Sequence, residues 1–311
     1  MTAPADDGFV HPALFYRTDE DYLAALVPFA VDGLAADQPV AVAVPGRRLD
    51  LVRDGLGGHA RHVTLLDMAR EGRNPGRIIA RVLRRFADRH RDRRVRIVGE
   101  PVWAGRTDQE YPACAQHEAL INTAFTGRDV TILCPYDVSA LDDRALADAR
   151  ATHPEIWEGA RRLPSDRYAP DAVVARYNEP FPDAGEVVVI AVTADLAPAR
   201  RAAARWAAAL GLPADRVPDL ELIVTELTTN GLRHTDGPCR LSVRREHDRL
   251  VCEVRDTGRL ADPLAGRRPA EPGQRSGRGL LLVNDLADLV RVHTGAGGTT
   301  VRVVLDLGAR G

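Results

Sequence analysis

Glu226-Leu227-Thr228-Thr229-Asn230-Gly231-Leu232-Arg233-His234 is the stretch on which the fold turns. It closes a helical pattern that runs from about Asp215 to Arg233. Leu220, Ile223, Val224 and Leu227 form one apolar stripe of that helix. Glu226, Asn230 and His234 stand at i, i+4 and i+8, so they share a polar stripe beside it. A carboxylate and a carboxamide one turn apart suit a divalent ion and a nucleophile together. Asn230 offers Mg2+ a neutral oxygen, the donor type that ion prefers. Glu226 can take the proton of an attacking hydroxyl. The plainer alternative is a solvated helix face with a frayed end, since Asn230-Gly231 is also a stop signal.

Outward from this helix the chain adds three further pieces. Asp256-Thr257-Gly258 follows directly on an apolar strand, Leu250 to Arg255. A carboxylate there, beside a glycine that lets backbone approach, can accept the exocyclic amine of adenine; the bland reading is an Asp-x-Gly turn. Gly277-Arg278-Gly279-Leu280 opens a helix after a Gly/Pro/Arg-rich loop over 257–277. Its glycines let backbone N–H groups close on phosphate oxygens at a helix N-terminus. Gly298-Thr299-Thr300 starts the last strand, Thr299 to Leu305, where a hydroxyl can reach the base side of a pocket or simply belong to a hairpin turn. Around these pieces the pattern predicts a strand from Glu186 to Val192 and a helix from Pro198, with Trp206 and Leu210 on its core face and Gly211 at its end. It also predicts strands at Arg240 to Arg245 and Leu289 to His293.

In this order the motifs over 184–307 resemble the ATP-binding domain of the GHKL superfamily, the Bergerat fold of gyrase, histidine kinases and mismatch-repair ATPases. The stretch from Glu226 to His234 is most similar to the anti-sigma-factor serine/threonine kinase branch. The resemblance implies an α/β two-layer sandwich that binds ATP and Mg2+. It implies that Asn230 holds Mg2+, that Glu226 is the catalytic base, that Asp256 and Gly258 bind adenine, and that Gly277, Arg278, Gly279 and Leu280 line the phosphates, with Thr299 on the base side. The implied partners are a sigma factor, which the protein would sequester, and an anti-anti-sigma (STAS) protein, phosphorylated on a serine. Two positions depart from the family pattern. Gly231 stands where alanine is frequent, at a cost of roughly 1 kcal/mol of helix propensity. Arg259-Leu260 replaces a second glycine of the adenine loop. Two other readings stay open: an ATP-binding module without phosphoryl transfer, and a sensor histidine kinase. The latter would need a phosphoacceptor, for which His153-Pro154-Glu155 is the one candidate; its proline suggests instead a helix start.

The first half alternates strands and helices, which argues for a mainly parallel sheet with helices on its faces. Strands are predicted at Val40 to Val44, Val63 to Leu66, Val95 to Val98 and Val130 to Cys134, and helices at Ile78 to Phe86 and His117 to Phe125. Gly99-Glu100-Pro101-Val102-Trp103, Glu118-Ala119-Leu120-Ile121-Asn122 and Leu133-Cys134-Pro135-Tyr136-Asp137, followed by His153-Pro154, resemble the MEDS sensory domain of bacterial regulators, distantly RecA-like. That implies a three-layer α/β domain. After the first strand, Pro45-Gly46-Arg47-Arg48 lacks the glycine spacing and lysine of a phosphate loop, so no nucleotide is expected there. Glu100, Trp103, Cys134, Tyr136 and Asp137 lie at or past predicted strand ends, where α/β sheets bind ligands. They are a candidate pocket for a small molecule, set against strand-end residues that merely cap turns. The expected division is a sensory domain over 8–165, a connector over 166–183 and the ATP-binding domain over 184–311; Pro164, Pro170, Pro180 and Pro182 break the pattern between about Arg161 and Asp183, and Tyr168, Tyr177 and Phe181 suggest that this stretch is partly packed.

Composition narrows the chemistry. Basic and acidic residues balance at 42 against 44, so nothing global points to DNA or RNA. The chain has no lysine, which removes Walker A, Schiff-base and pyridoxal-phosphate mechanisms. Met1 to Val10 lacks the pattern of a signal peptide, and no apolar run reaches membrane-spanning length, so a cytoplasmic protein is expected. Cys114, Cys134, Cys239 and Cys252 show no C-x-x-C spacing and read as reduced, mostly buried thiols; Cys114, His117 and Cys134 could approach a metal, though only one pair of them is close in sequence. A homodimer is left open.

Overall fold

The computed structural model describes residues 8–182, 187–192, 194–235, 237–270, 273 and 277–308. The chain divides into two compact units between Tyr177 and Asn178. The start predicted at Glu186 for a strand, the domain start at 184, and parts of Met1 to Val10 and of the 257–277 loop lie outside the described residues.

The first unit runs β1 (Pro12–Tyr16), α1 (Asp19–Ala35), β2 (Val40–Val44), α2 (Gly46–Leu56), β3 (Val63–Asp67), α3 (Met68–Glu71), α4 (Pro75–Ile78), α5 (Arg85–Ala87), β4 (Val95–Gly99), α6 (Tyr111–Ala124), β5 (Val130–Asp137), α7 (Asp143–Thr152), β6 (Glu155–Glu158), β7 (Arg161–Pro164) and α8 (Pro170–Arg176). A π-helical stretch, Ile79–Arg84, joins α4 to α5, so the predicted Ile78 to Phe86 helix is one helical run. The sheet order is β3-β2-β4-β5-β1-β6-β7, with every pair parallel except β6 with β7. The four predicted strands form one side of it. Strand β1, absent from the pattern above, lies between β5 and β6; its five residues are all buried, so no alternation marks it. Helix α1 begins at a capping box: Thr18 Oγ1 accepts from the Asp21 amide at 3.1 Å, and the Asp21 carboxylate accepts from the Thr18 amide at 3.2 Å.

The unit does not stop at 165. Asp148 of α7 is buried and accepts from the Tyr111 hydroxyl at 2.8 Å and from Tyr177 and Arg176. Val173 of α8 is fully buried. Most of the expected connector is therefore packed structure of the first unit. His153 also departs from expectation. It follows α7 instead of starting a helix, because its amide bonds back to Ala149 O at 3.1 Å and Pro154 disfavours continuation.

The second unit runs β8 (Val188–Ala191), α9 (Ala197–Ala209), α10 (Val217–His234), β9 (Arg240–Glu246), β10 (Arg249–Asp256), α11 (Gly279–Leu286), β11 (Leu289–Gly295) and β12 (Gly298–Asp306). Its sheet, β11-β12-β10-β9-β8, is antiparallel throughout. Leu220, Ile223, Val224 and Leu227 of α10 pack on Leu241, Cys252 and Val303 of the sheet, as the apolar stripe predicts. On α9 one of the two predicted core residues holds and one does not: Leu210, just past its end, packs half-buried against the core, but Trp206 does not. Ala199, Ala203 and Ala207 are buried, whereas Trp206 is 46% exposed. The small residues let α9 lie close to its neighbours, and the indole is left at the surface.

Candidate functional site

Helix α10 is built to carry the site. Its apolar stripe faces the sheet, so the neighbouring stripe with Glu226 and Asn230 rises beside the layer interface, both side chains half-buried. Gly279 of α11 closes on that stripe, and Asp256 lies beside Gly231 of the same helix. A Cβ on Gly279 would stand 2.5 Å from Glu226 Oε2 and 3.4 Å from Asn230 Nδ2. The start of α11 thus lies directly against the predicted base and amide, and a side chain there would have to displace the Glu226 carboxylate. A Cβ on Gly231 would stand 2.8 Å from Cys239 Sγ and 3.5 Å from Asp256 Cβ. The departure from alanine is explained: α10 approaches the sheet too closely for a methyl group.

A cleft of about 570 Å3 opens beside these groups. Asn230 and His234 line one wall, Gly277, Gly279 and Leu280 a second, and the loop from Leu260 to Ala270 a third. Among the described residues no side chain caps α11, whose preceding residues Gly277 and Arg278 are exposed. Gly277 has φ +78°, a left-handed turn that glycine permits.

Asp256 ends β10 opposite Thr299 of β12. Its Oδ1 accepts from the Gly258 amide at 2.8 Å, which orients the carboxylate. Thr299 is buried, and its hydroxyl points into the protein: it donates to Gly258 O at 2.8 Å and bonds the Thr294 hydroxyl at 2.9 Å. The Leu260 amide donates to both threonines. The hydroxyl therefore holds the Asp256–Leu260 turn from behind instead of reaching into the pocket itself.

Two contributions escaped the sequence. The loop after Gly258 is not featureless: Asp262 Oδ1 accepts from the Leu264 amide at 3.0 Å, Leu264 is buried, and Asn284 Nδ2 donates to Gly266 O at 3.1 Å. The Asx turn at Asp262-Pro263-Leu264 was the readable signal. Asn178 clasps β11, accepting from the Thr294 amide and donating to its carbonyl, both at 2.9 Å. No periodicity marks it.

The first-unit residues do not form one pocket. Adjacent residues of β5 point to opposite faces. On one face, buried Glu100 accepts from Tyr22 at 2.9 Å and Tyr16 at 3.2 Å, while Arg48 stacks on both rings and bonds Asp137 at 3.1 Å. Burial pushes Glu100 up to about 7, although Tyr22, Arg48 and Tyr16 pull against it. On the other face, Tyr136 packs edge-on to His153, and Cys134 Sγ lies 3.4 Å from His11 Nε2. Trp103 stands apart, under the Arg106 guanidinium at 3.8 Å. Cys114 and His117 do not join Cys134 as metal donors among the described residues; Glu118 and two histidines do. Burial and His153 lower His11 to about 4. Burial pushes the Cys134 thiol well above its usual range.

Residues 10–154 match the family described as MEDS, the methanogen/methylotroph DcmR sensory domain. Residues 190–305 match the histidine kinase-like ATPase domain. The Anti-sigma F factor of Pasteuria penetrans is 30% identical over 125 residues, covering 36% of this chain and 82% of that protein. The chain belongs to the anti-sigma F factor family. It is an anti-sigma kinase-like regulator with a MEDS domain ahead of its ATPase-type domain. A solved structure of the RsbU and RsbW domains of a Mycobacterium tuberculosis protein shares 22% identity at a TM-score of 0.29, covering 39% of this chain and 32% of its own. This chain spans about a third of that one, and at such a score the likeness carries no argument. No described helix of this family member is long and apolar enough to cross a membrane.

Proposed function

We propose that the second unit binds Mg-ATP in the cleft beside α10, sequesters a sigma factor, and phosphorylates an anti-anti-sigma STAS protein on serine, in the cytoplasm, with the first unit biasing that activity. One observation supports this above the others: Asn230 and Gly279 line a cleft whose volume falls within the range of nucleotide-sized sites, and the Glu226 carboxylate lies against that same Gly279.

The donor set suits the ion. Asn230 supplies a neutral oxygen and lines the cleft together with Gly277 and Gly279. Bound Mg2+ would neutralise charge on the phosphate oxygens; Asn230 is the residue that would hold it. The amides at the start of α11 donate to those oxygens, favoured by the helix field. Asp256 accepts from the exocyclic amine of adenine, with the Gly258 turn fixing its angle. Glu226 takes the proton from the attacking serine hydroxyl. The serine oxygen bonds to the γ-phosphorus, the bond from that phosphorus to the bridging oxygen breaks, and ADP leaves with the electron pair.

Purified chain, labelled ATP and a STAS protein test this. Label should pass to the STAS serine, and Glu226→Gln should abolish transfer while calorimetry still registers ATP. Wild-type chain that binds ATP without transferring label would leave only a nucleotide-dependent binding module. A lack of heat with ATP would remove both. The histidine-kinase reading finds no support, because His153 is fully buried.

A further inference from the structure

On the far side of the first unit's sheet from Glu100, four donors meet. His11 precedes β1, Glu118 sits in α6, Cys134 in β5, and His153 follows α7. Their donor atoms lie within 4.8 Å of one another, and all four residues are buried. His11 Nε2 is 3.4 Å from Glu118 Oε2, His153 Nε2 is 3.0 Å from the same oxygen, and Cys134 Sγ is 3.4 Å from His11 Nε2. A tetrahedral shell with bonds of about 2.0–2.3 Å spaces its ligands roughly 3.3–3.8 Å apart.

The surrounding hydrogen bonds decide what the ring nitrogens carry. Asn122 Nδ2 donates to Thr152 O at 2.8 Å and Ala119 O at 3.1 Å, which turns Oδ1 toward His11 Nδ1 at 3.1 Å. That nitrogen must hold a hydrogen. His153 Nδ1 lies 2.8 Å from Ala149 O, which only accepts, so it too holds a hydrogen. In neutral rings both Nε2 atoms then present lone pairs to a carboxylate and a sulfur. Neither Glu118 oxygen nor His153 Nε2 has a well-aligned hydrogen bond among the described residues. One thiol proton cannot satisfy such a set of acceptors, and burying them without a partner is costly. Outer partners that fix the ring tautomer are what metal-ligating histidines show.

We propose that His11, Glu118, Cys134 and His153 hold one zinc-class divalent ion inside the first unit. Two imidazoles, one thiolate and one carboxylate suit zinc, whereas Mg2+ and Ca2+ take oxygen shells. Four protein ligands and no exposure leave no open position, so the ion is structural. It ties the start of β1 and the end of α7 to α6 and β5.

Zinc and cobalt serve as probes on the full chain. Purified without chelator, or loaded with zinc and desalted, it should retain about one zinc per chain, with one sulfur at about 2.3 Å by X-ray absorption. The cobalt form should show a thiolate charge-transfer band. Cys134→Ser should lose both sulfur signals with the far-ultraviolet dichroism unchanged, and Glu118→Gln should weaken zinc retention at least tenfold. Where Cys134→Ser does not fold, a chain with Cys114, Cys239 and Cys252 replaced by alanine should keep the sulfur signals. Failure to retain zinc after loading, a sulfur-free shell, or sulfur signals that persist in folded Cys134→Ser would each overturn the proposal.

Discussion

At the scale of the residue, two side chains make measurable claims. Gly279 lies so close to Glu226 that Gly279→Ala must push the carboxylate aside. Alanine gains roughly 1 kcal/mol of helix propensity over glycine, so the variant should melt no lower than wild type. Phosphotransfer should nevertheless fall at least tenfold. A loss of both together would mean that the close approach serves packing alone. Glu100 offers a pH signature. An unfolded chain releases its Glu100 proton near 4.5, while the folded unit keeps it to about 7. The folded state therefore binds more protons across that window, and its stability falls as pH rises through it, by on the order of 3 kcal/mol. Tyr16, Tyr22, Arg48 and Asp137 are the groups that face it. Urea midpoints of wild type and Glu100→Gln, taken from about pH 4.5 to about pH 7.5, should lie closest at the acid end and draw apart as pH rises, wild type falling while the glutamine variant lacks this slope. Parallel curves would refute the shift.

At the scale of the element, α9 and α10 show what sequence patterning can and cannot carry. The stripe on α10 was legible because its apolar residues are large and its polar partners differ from them in kind. On α9 the buried positions are alanines among alanines, so Leu210 marked the core face but the one indole, Trp206, was wrongly placed on it. Trp206→Ala should change stability by no more than about 0.5 kcal/mol, while Ala203→Val should cost about 1–3 kcal/mol through overpacking. Thermal melts of the two variants check this; a large loss at Trp206 would restore the original face. Gly231 belongs to the same lesson. Gly231→Ala should destabilise in spite of better helix propensity, and adding Cys239→Ala should recover the loss, since the Sγ atom is the obstacle. Strand β1 and the His11 cluster stayed hidden for a different reason. A fully buried five-residue strand has no alternation, and four donors spread from residue 11 to residue 153 have no spacing to read.

At the scale of the whole molecule, each unit owns its core. Leu14, Tyr22, Val42, Val98 and Leu133 pack together in the first, and Ile190, Ala203, Leu220, Val254 and Leu305 in the second, with neither cluster borrowing from the other. The alternating pattern of the first half and the motif order of the second made that division legible in outline. Tyr177 signalled that the stretch after 165 packs, but the helix α8 and its place in the first unit were not legible, because Pro170 and its neighbours read as a connector, whereas Tyr177 and Arg176 reach buried Asp148. Separate cores predict separate unfolding events. A ligand that binds only one unit stabilises that unit by RT ln(1 + [L]/Kd), about 2.7 kcal/mol at a hundredfold excess over Kd. Scanning calorimetry of the full chain should then show two transitions, of which Mg-ATP raises one by several degrees and leaves the other in place. Asn230→Ala should abolish that shift without removing either transition. A single transition that moves as a whole with Mg-ATP would mean that the two cores unfold as one, and that nucleotide binding is felt throughout the chain.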